Sequence, residues 1–140
     1  MTAAAIYLPP VLALVTLSFL VALGILVTRF ADLVERRKPV SYYEDFDGVG
    51  ASIAVMRPTR QLANLFEFPV LFYAAAAILI GIGMQDGLLQ ELCWAYVALR
   101  WLHASTHLIL NRLWLRTPVF MAGNLVLLGI WIRMSLIVLT

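Results

Sequence analysis

Four long apolar runs, separated by short polar interruptions, divide the chain. The first, roughly Ala3 to Phe30, has no Lys or Arg before it and is too long for a signal-peptide core of about 7–15 residues, which predicts an uncleaved membrane helix. Pro9 and Pro10 fit its first turns, where a missing amide is tolerated, so the helix is expected to begin near them; Arg29 marks its far end. A second run extends from about Arg60 to Ile82 with Pro69 inside it, which predicts a kink. A third covers about Leu88 to Arg112 and a fourth Thr117 to Leu139, with Pro118 in the opening turn. Each is near the roughly 20 residues that a membrane span requires. Gly83, Asp86 and Gly87 supply the turn between the second and third runs. Short connections make neighbouring helices antiparallel, so residues 1–140 are expected to form a single all-α domain, an integral membrane four-helix up-down bundle. The first connection, about 36–59, is longer. Within it residues 41–56 lack a clean helical period and read as a solvated loop rather than a substrate lid.

Composition strengthens the membrane reading. Of 140 residues, 63% are hydrophobic and 13% charged, against about a quarter charged in an ordinary soluble domain; mean hydropathy is +0.92. Disorder and a soluble globule are both excluded as readings. The formal charge of +2 is small and scattered, so no nucleic-acid partner is expected, and the charges serve instead as topology marks. Arg36, Arg37, Lys38, Arg57 and Arg60 flank the first connection and Arg112 and Arg116 the third, whereas the second has neither Lys nor Arg. The first and third connections are therefore expected on the cytoplasmic side, with both termini non-cytoplasmic. Arg133 breaks this pattern and is expected to snorkel outward. Cys93, the one cysteine, excludes an internal disulfide and a cysteine-based metal site.

Several ionisable groups nevertheless fall inside the runs, at roughly 2.5–3.5 kcal/mol each near a bilayer centre, so they need partners or a wet cavity. Arg60, Asn64 and Glu67 are spaced i, i+4, i+7, one face of the second helix; Arg100, His103, His107 and Asn111 make a second stripe at i, i+3, i+7, i+11 on the third. At about 1.5 Å per residue from the cytoplasmic ends, Glu67 lies roughly 10 Å deep and Arg100 roughly 18 Å, within reach of a long side chain. A Glu67–Arg100 ion pair is expected, within one chain or across a subunit boundary. Such a network could simply hold helices together. Two features point to a ligand site instead. Arg60, Arg100, Arg112 and Arg116 outnumber Glu67, as an anionic ligand requires, and Arg116 and Thr117 open the fourth helix, where free amides favour an anion or thiolate. His103 and His107 could share an ion, but only Glu67 offers a third ligand, so no metal is expected. Trp94, Trp101, Trp114, Trp131, Tyr7 and Tyr96 read as interfacial-belt or packing residues.

The pattern Arg60-x-x-x-Asn64-x-x-Glu67-Phe68-Pro69, followed by Arg100-x-x-His103-x-x-x-His107, Arg112 and Arg116-Thr117, resembles the MAPEG family, membrane-associated proteins of eicosanoid and glutathione metabolism. The resemblance covers nearly the whole chain. It implies a homotrimer of four-helix protomers, with glutathione held between neighbouring subunits near the cytoplasmic face and lipophilic substrates arriving from membrane lipid. By position, Arg60, Asn64, Glu67, Arg100, His103 and His107 would contact glutathione, while Arg116, with Thr117 beside it, would stand by the sulfur and Arg112 would be a second candidate for that task. The implied activity is a transferase or peroxidase acting on lipophilic electrophiles; the alternative is a non-catalytic relative that binds lipid or another small anion. One position departs, because His107 stands where the family's eukaryotic enzymes usually carry Tyr. Bacterial members with a His-rich third helix are the nearer likeness, which implies a bacterial inner membrane.

Overall fold

The structure, a computed structural model, describes residues 2–35, 39–44, 46, 48–110 and 112–139. Arg36, Arg37 and Lys38 of the orientation pattern, Asp45 and Asp47 of the first connection and Asn111 of the third-helix stripe lie outside the described residues. Among the described residues every regular element is helical: α1 (Ala3–Val34), α2 (Ser41–Glu44), α3 (Ile53–Leu65), α4 (Pro69–Gly81), α5 (Gly87–Ser105) continued by a π-helical turn (Thr106–Leu110), and α6 (Leu113–Leu139).

The helix ends follow their capping chemistry. Thr2 accepts a hydrogen bond from the Ala5 amide at 3.3 Å, so α1 starts ahead of Pro9 and Pro10, which lie inside the helix rather than at its head. Along α1 Thr16, Ser18 and Thr28 return their hydroxyls to the carbonyls of Leu12, Leu14 and Gly24, so these three donors are satisfied within the helix. Ser52 caps α3 through the Val55 amide, which starts that helix at Ile53, inside the stretch that lacks a clear period and well before Arg60. The expected kink at Pro69 is a full break over Phe66–Phe68. The Phe66 amide turns back to the Ala63 carbonyl at 3.0 Å, and Pro69, with no amide to donate, opens α4 as its first residue.

At the far end of α4, Gly83 takes a left-handed φ of 68°. The Met84 amide then reaches the Leu79 carbonyl (3.0 Å) and the Gly83 amide that of Ile80 (3.1 Å), the Schellman pattern that glycine permits. Asp86 caps α5 by accepting from the Leu89 amide at 2.8 Å. The last helix begins at Leu113, four residues ahead of Thr117, because the Arg112 carbonyl accepts from the amides of Leu115 and Arg116.

Among the described residues three segments are long and apolar enough to cross a membrane: Ala3–Val34, Ile53–Gly81 as one span despite its break, and Leu113–Leu139. The 19-residue α5 carries Glu91, Arg100 and His103 and is not among them. It nonetheless packs most extensively of all, against α6 along its length and against α1. The core between these helices centres on Tyr7, Leu14, Phe72, Leu79, Tyr96 and Ile130, all fully buried. The outer faces keep large apolar side chains such as Phe19 and Phe30 at 73% and 68% exposure, far beyond what scattered surface hydrophobics need and fitted to lipid.

Two polar clusters fasten the ends. At one end the partly exposed Arg133 reaches the turn ahead of α5: its Nη2 lies 2.8 Å from Asp86 Oδ2, and the Asp86 amide approaches the Tyr7 hydroxyl at 3.4 Å, so α1, α5 and α6 meet there. Arg133 and the Leu89 amide hold the Asp86 carboxyl below its usual range. At the other end the buried Asp32 accepts from the Tyr43 hydroxyl (3.1 Å) and the Ser52 hydroxyl (3.4 Å), while Arg29 sits 4.4 Å from the Phe46 ring centroid. The first connection is thus fastened to α1 and contains the short helix α2 rather than running as a plain loop.

Candidate functional site

The third-helix stripe faces inward. Tyr96, Arg100 and His103 follow one another at helical spacing along α5, and the π turn carries the face on to His107; all four are at most 3% exposed. Thr106 helps to form that turn by donating its hydroxyl to the His103 carbonyl at 2.9 Å. The rings of His103 and His107 lie 6.0 Å apart, and among the described residues no third His, Cys, Asp or Glu joins them in a metal-binding group.

Arg100 is held by neutral groups. Its Nε donates to the Tyr96 hydroxyl and its Nη2 to Asn124 Oδ1, both at 2.9 Å. The guanidinium also lies over the rings of Tyr96 (5.1 Å) and Phe120 (5.3 Å). Among the described residues no carboxylate pairs with it. The expected Glu67–Arg100 pair is therefore not formed within one protomer. Glu67 lies in the break between α3 and α4, exposed and past the end of the helix that would have aligned it with Arg60 and Asn64.

His103 reaches α6 through Nδ1, 3.3 Å from the Arg116 carbonyl. A carbonyl only accepts, so Nδ1 carries the proton and Nε2 is left as an acceptor; Nε2 is buried and has no partner. Beside it opens a cleft of about 180 Å³ lined by Asn64, His103, Arg116, Thr117 and Phe120. Asn64 ties its Nδ2 to the Arg60 carbonyl at 3.2 Å, which leaves its Oδ1 available. The fold thus brings α3, α5 and α6 to one polar opening.

Of the residues singled out by sequence, Asn64, His103, Arg116 and Thr117 share that cleft, and Arg100 touches its Phe120 wall. Arg60 is exposed one turn before Asn64; His107 is buried beside His103 with Nδ1 unpartnered. Arg112 precedes α6 and does not line the cleft. Arg116 and Thr117 stand in the second turn of α6, not at its open amides, so the cationic character of this wall comes from the Arg116 side chain. Sequence reasoning missed Asn124 and Phe120 and took Tyr96 for packing. Asn124 carried a signal, a lone amide within an apolar span. Gln61, fully buried with neither side-chain amide atom bonded, carried a similar one.

A family profile described as the MAPEG family matches residues 7–136. No curated protein and no solved structure matches the chain.

Proposed function

We propose, from the premise that this chain belongs to the MAPEG family, that it is a membrane-embedded glutathione-dependent transferase or peroxidase acting on lipophilic electrophiles. The observation that carries this reading is Arg100, a guanidinium at 2% exposure whose partners are all neutral. Burying a cation without a counter-charge is costly, and an anionic ligand beside the cleft supplies one. The orphaned Nε2 of His103 asks for a donor in the same place. Both needs suit a zwitterionic peptide with excess carboxylate.

In this reading α1, the α3–α4 segment, α5 and α6 form a four-helix up-down bundle, and three protomers assemble in a bacterial inner membrane with both termini non-cytoplasmic. A cleft of about 180 Å³ is smaller than the roughly 300 Å³ at which ligand pockets begin, so a neighbouring protomer supplies the remaining wall. Glutathione brings a thiol nucleophile, two carboxylates and an ammonium. Arg60 and Arg100 are the residues for the carboxylates and Glu67 for the ammonium, while Asn64, His103 and His107 orient the peptide by hydrogen bonding. Arg116, with Thr117 beside it, faces the sulfur and favours thiolate over thiol, since a free thiol with a pKa of about 8.5 is mostly protonated at neutral pH. Arg112 is the second candidate for that role.

Isothermal titration of the detergent-solubilised protein with glutathione tests the reading. Saturable heat is expected at or below millimolar ligand and is strongly weakened in Arg100→Ala; no heat from the native protein at millimolar glutathione overturns the enzyme reading.

A further inference from the structure

Away from the cleft, on the other side of α5, a groove of about 520 Å³ runs between α1, α3 and the end of α5. Trp101 bonds to Ala13 toward the Leu17 end, Pro58 lies against Gly24 and brings Arg57 toward the Thr28 end, and the exposed Ser105 and Ile109 line it from the end of α5. From Leu17 to Thr28 it follows α1 for about 16 Å at the helical rise, close to half of a hydrocarbon core about 30 Å thick, that is, one leaflet. The walls are apolar and their polar groups are mostly satisfied. The Thr28 and Ser105 hydroxyls return to their own helices, and the Trp101 indole donates to the Ala13 carbonyl. Arg57 is different: its Nε is enclosed and has no partner, and no acidic residue lines the groove.

The geometry points to a bound anionic phospholipid as the occupant, its acyl chain along Leu17 and Trp101 and its phosphate on Arg57. The complementarity is one of length, polarity and charge. The groove is one leaflet deep and apolar along the chain, and it carries Arg57, which has no ion pair among the described residues, where the headgroup would sit; basic pockets among spans bind anionic headgroups in this way. The outer rim supports the same occupant, since Ile109 is 74% exposed and faces outward from the protomer. This site is independent of the proposed chemistry, because neither His103 nor Arg116 lines it.

The full-length protein, purified in a neutral detergent, is titrated with phosphatidylglycerol or with phosphatidylcholine of the same acyl chains. Thermal unfolding is followed, and retained lipid is counted by native mass spectrometry. The expected result is a melting midpoint raised by several degrees more with phosphatidylglycerol, together with retention of about one such lipid per chain. Arg57→Gln should lose the difference between the two lipids and Arg57→Lys should keep most of it, while Ser105→Phe, which fills the groove from its rim, should lose the retained lipid. Equal response of the native protein to both lipids, or an unchanged preference in Arg57→Gln, overturns the proposal. So does loss of the oligomer in Ser105→Phe without any effect of lipid, which would make the groove a contact between copies. Should Arg57→Gln fail to fold, the lipid count on the native protein decides alone, and phosphatidylglycerol retained no better than phosphatidylcholine refutes the site.

Discussion

Arg100 shows how a buried cation can be fixed in place without being neutralised. The Tyr96 hydroxyl and the Asn124 amide set its orientation, and the rings of Tyr96 and Phe120 lie against its faces. Tyr96→Phe deletes only the hydroxyl and leaves a guanidinium N–H unbonded, which should cost about 1–3 kcal/mol. A lowered thermal midpoint together with several-fold weaker glutathione binding is the expected pair of results, and unchanged binding would separate Tyr96 from the ligand. Arg116 lends itself to a charge test. In Arg116→Gln the pH–rate profile of conjugation should shift its inflection upward, toward the pKa of about 8.5 of a free thiol. Below the inflection, kcat/KM should fall about tenfold for each pH unit of that shift. A profile that does not move would pass the sulfur-facing role to Arg112.

At the level of elements, much of the organisation was legible in the sequence and the boundaries were less so. The apolar runs located α1, α4 and α6 because a span must be continuously apolar. The stripe of Arg100, His103 and His107 was legible because the helical period survives even through the π turn. Ser52 and Arg112 explain what was missed: a side-chain hydroxyl and a backbone carbonyl started α3 and α6 earlier than hydropathy alone suggests. Glu67 was misplaced for a related reason, since extending one helix through Pro69 put it on a face that the break at Phe66–Phe68 removes. Asp86 shows what a good cap adds. Its carboxyl is held below its usual range by Arg133 and by the Leu89 amide. A lowered folded pKa contributes stability that is present above the unfolded value and lost as pH falls through the folded one. Melting followed from pH 7 down to pH 2 should therefore show an acid-side loss below about pH 4 that Asp86→Asn reduces. Asp86→Ala, which also removes the cap, should cost about 1 kcal/mol more; equal acid sensitivity in Asp86→Asn would assign the loss to other carboxylates.

For the molecule as a whole, the main question is what closes the polar opening of α3, α5 and α6. Packing apolar helix faces together gains little in lipid, which is as apolar as leucine, so polar contacts and close fit decide assembly. Glu67, exposed in the break that follows α3, separates the two readings of this site. If it holds a ligand ammonium, Glu67→Gln should weaken glutathione binding at least several-fold while light scattering reports the same assembly, the proposed trimer, as in the native protein. If it reaches Arg100 of a neighbour only to join subunits, the same substitution should dissociate that assembly, favouring the non-catalytic alternative. The joint made by Asp86, Arg133 and Tyr7 has a further consequence once α5 crosses the bilayer with its neighbours. That carboxylate caps one end of α5 and the polar cleft lies toward the other, so they then stand toward opposite flanks of an insulating sheet. In a sealed vesicle, acid confined to the flank that holds the joint should loosen the architecture, and acid confined to the opposite flank should not.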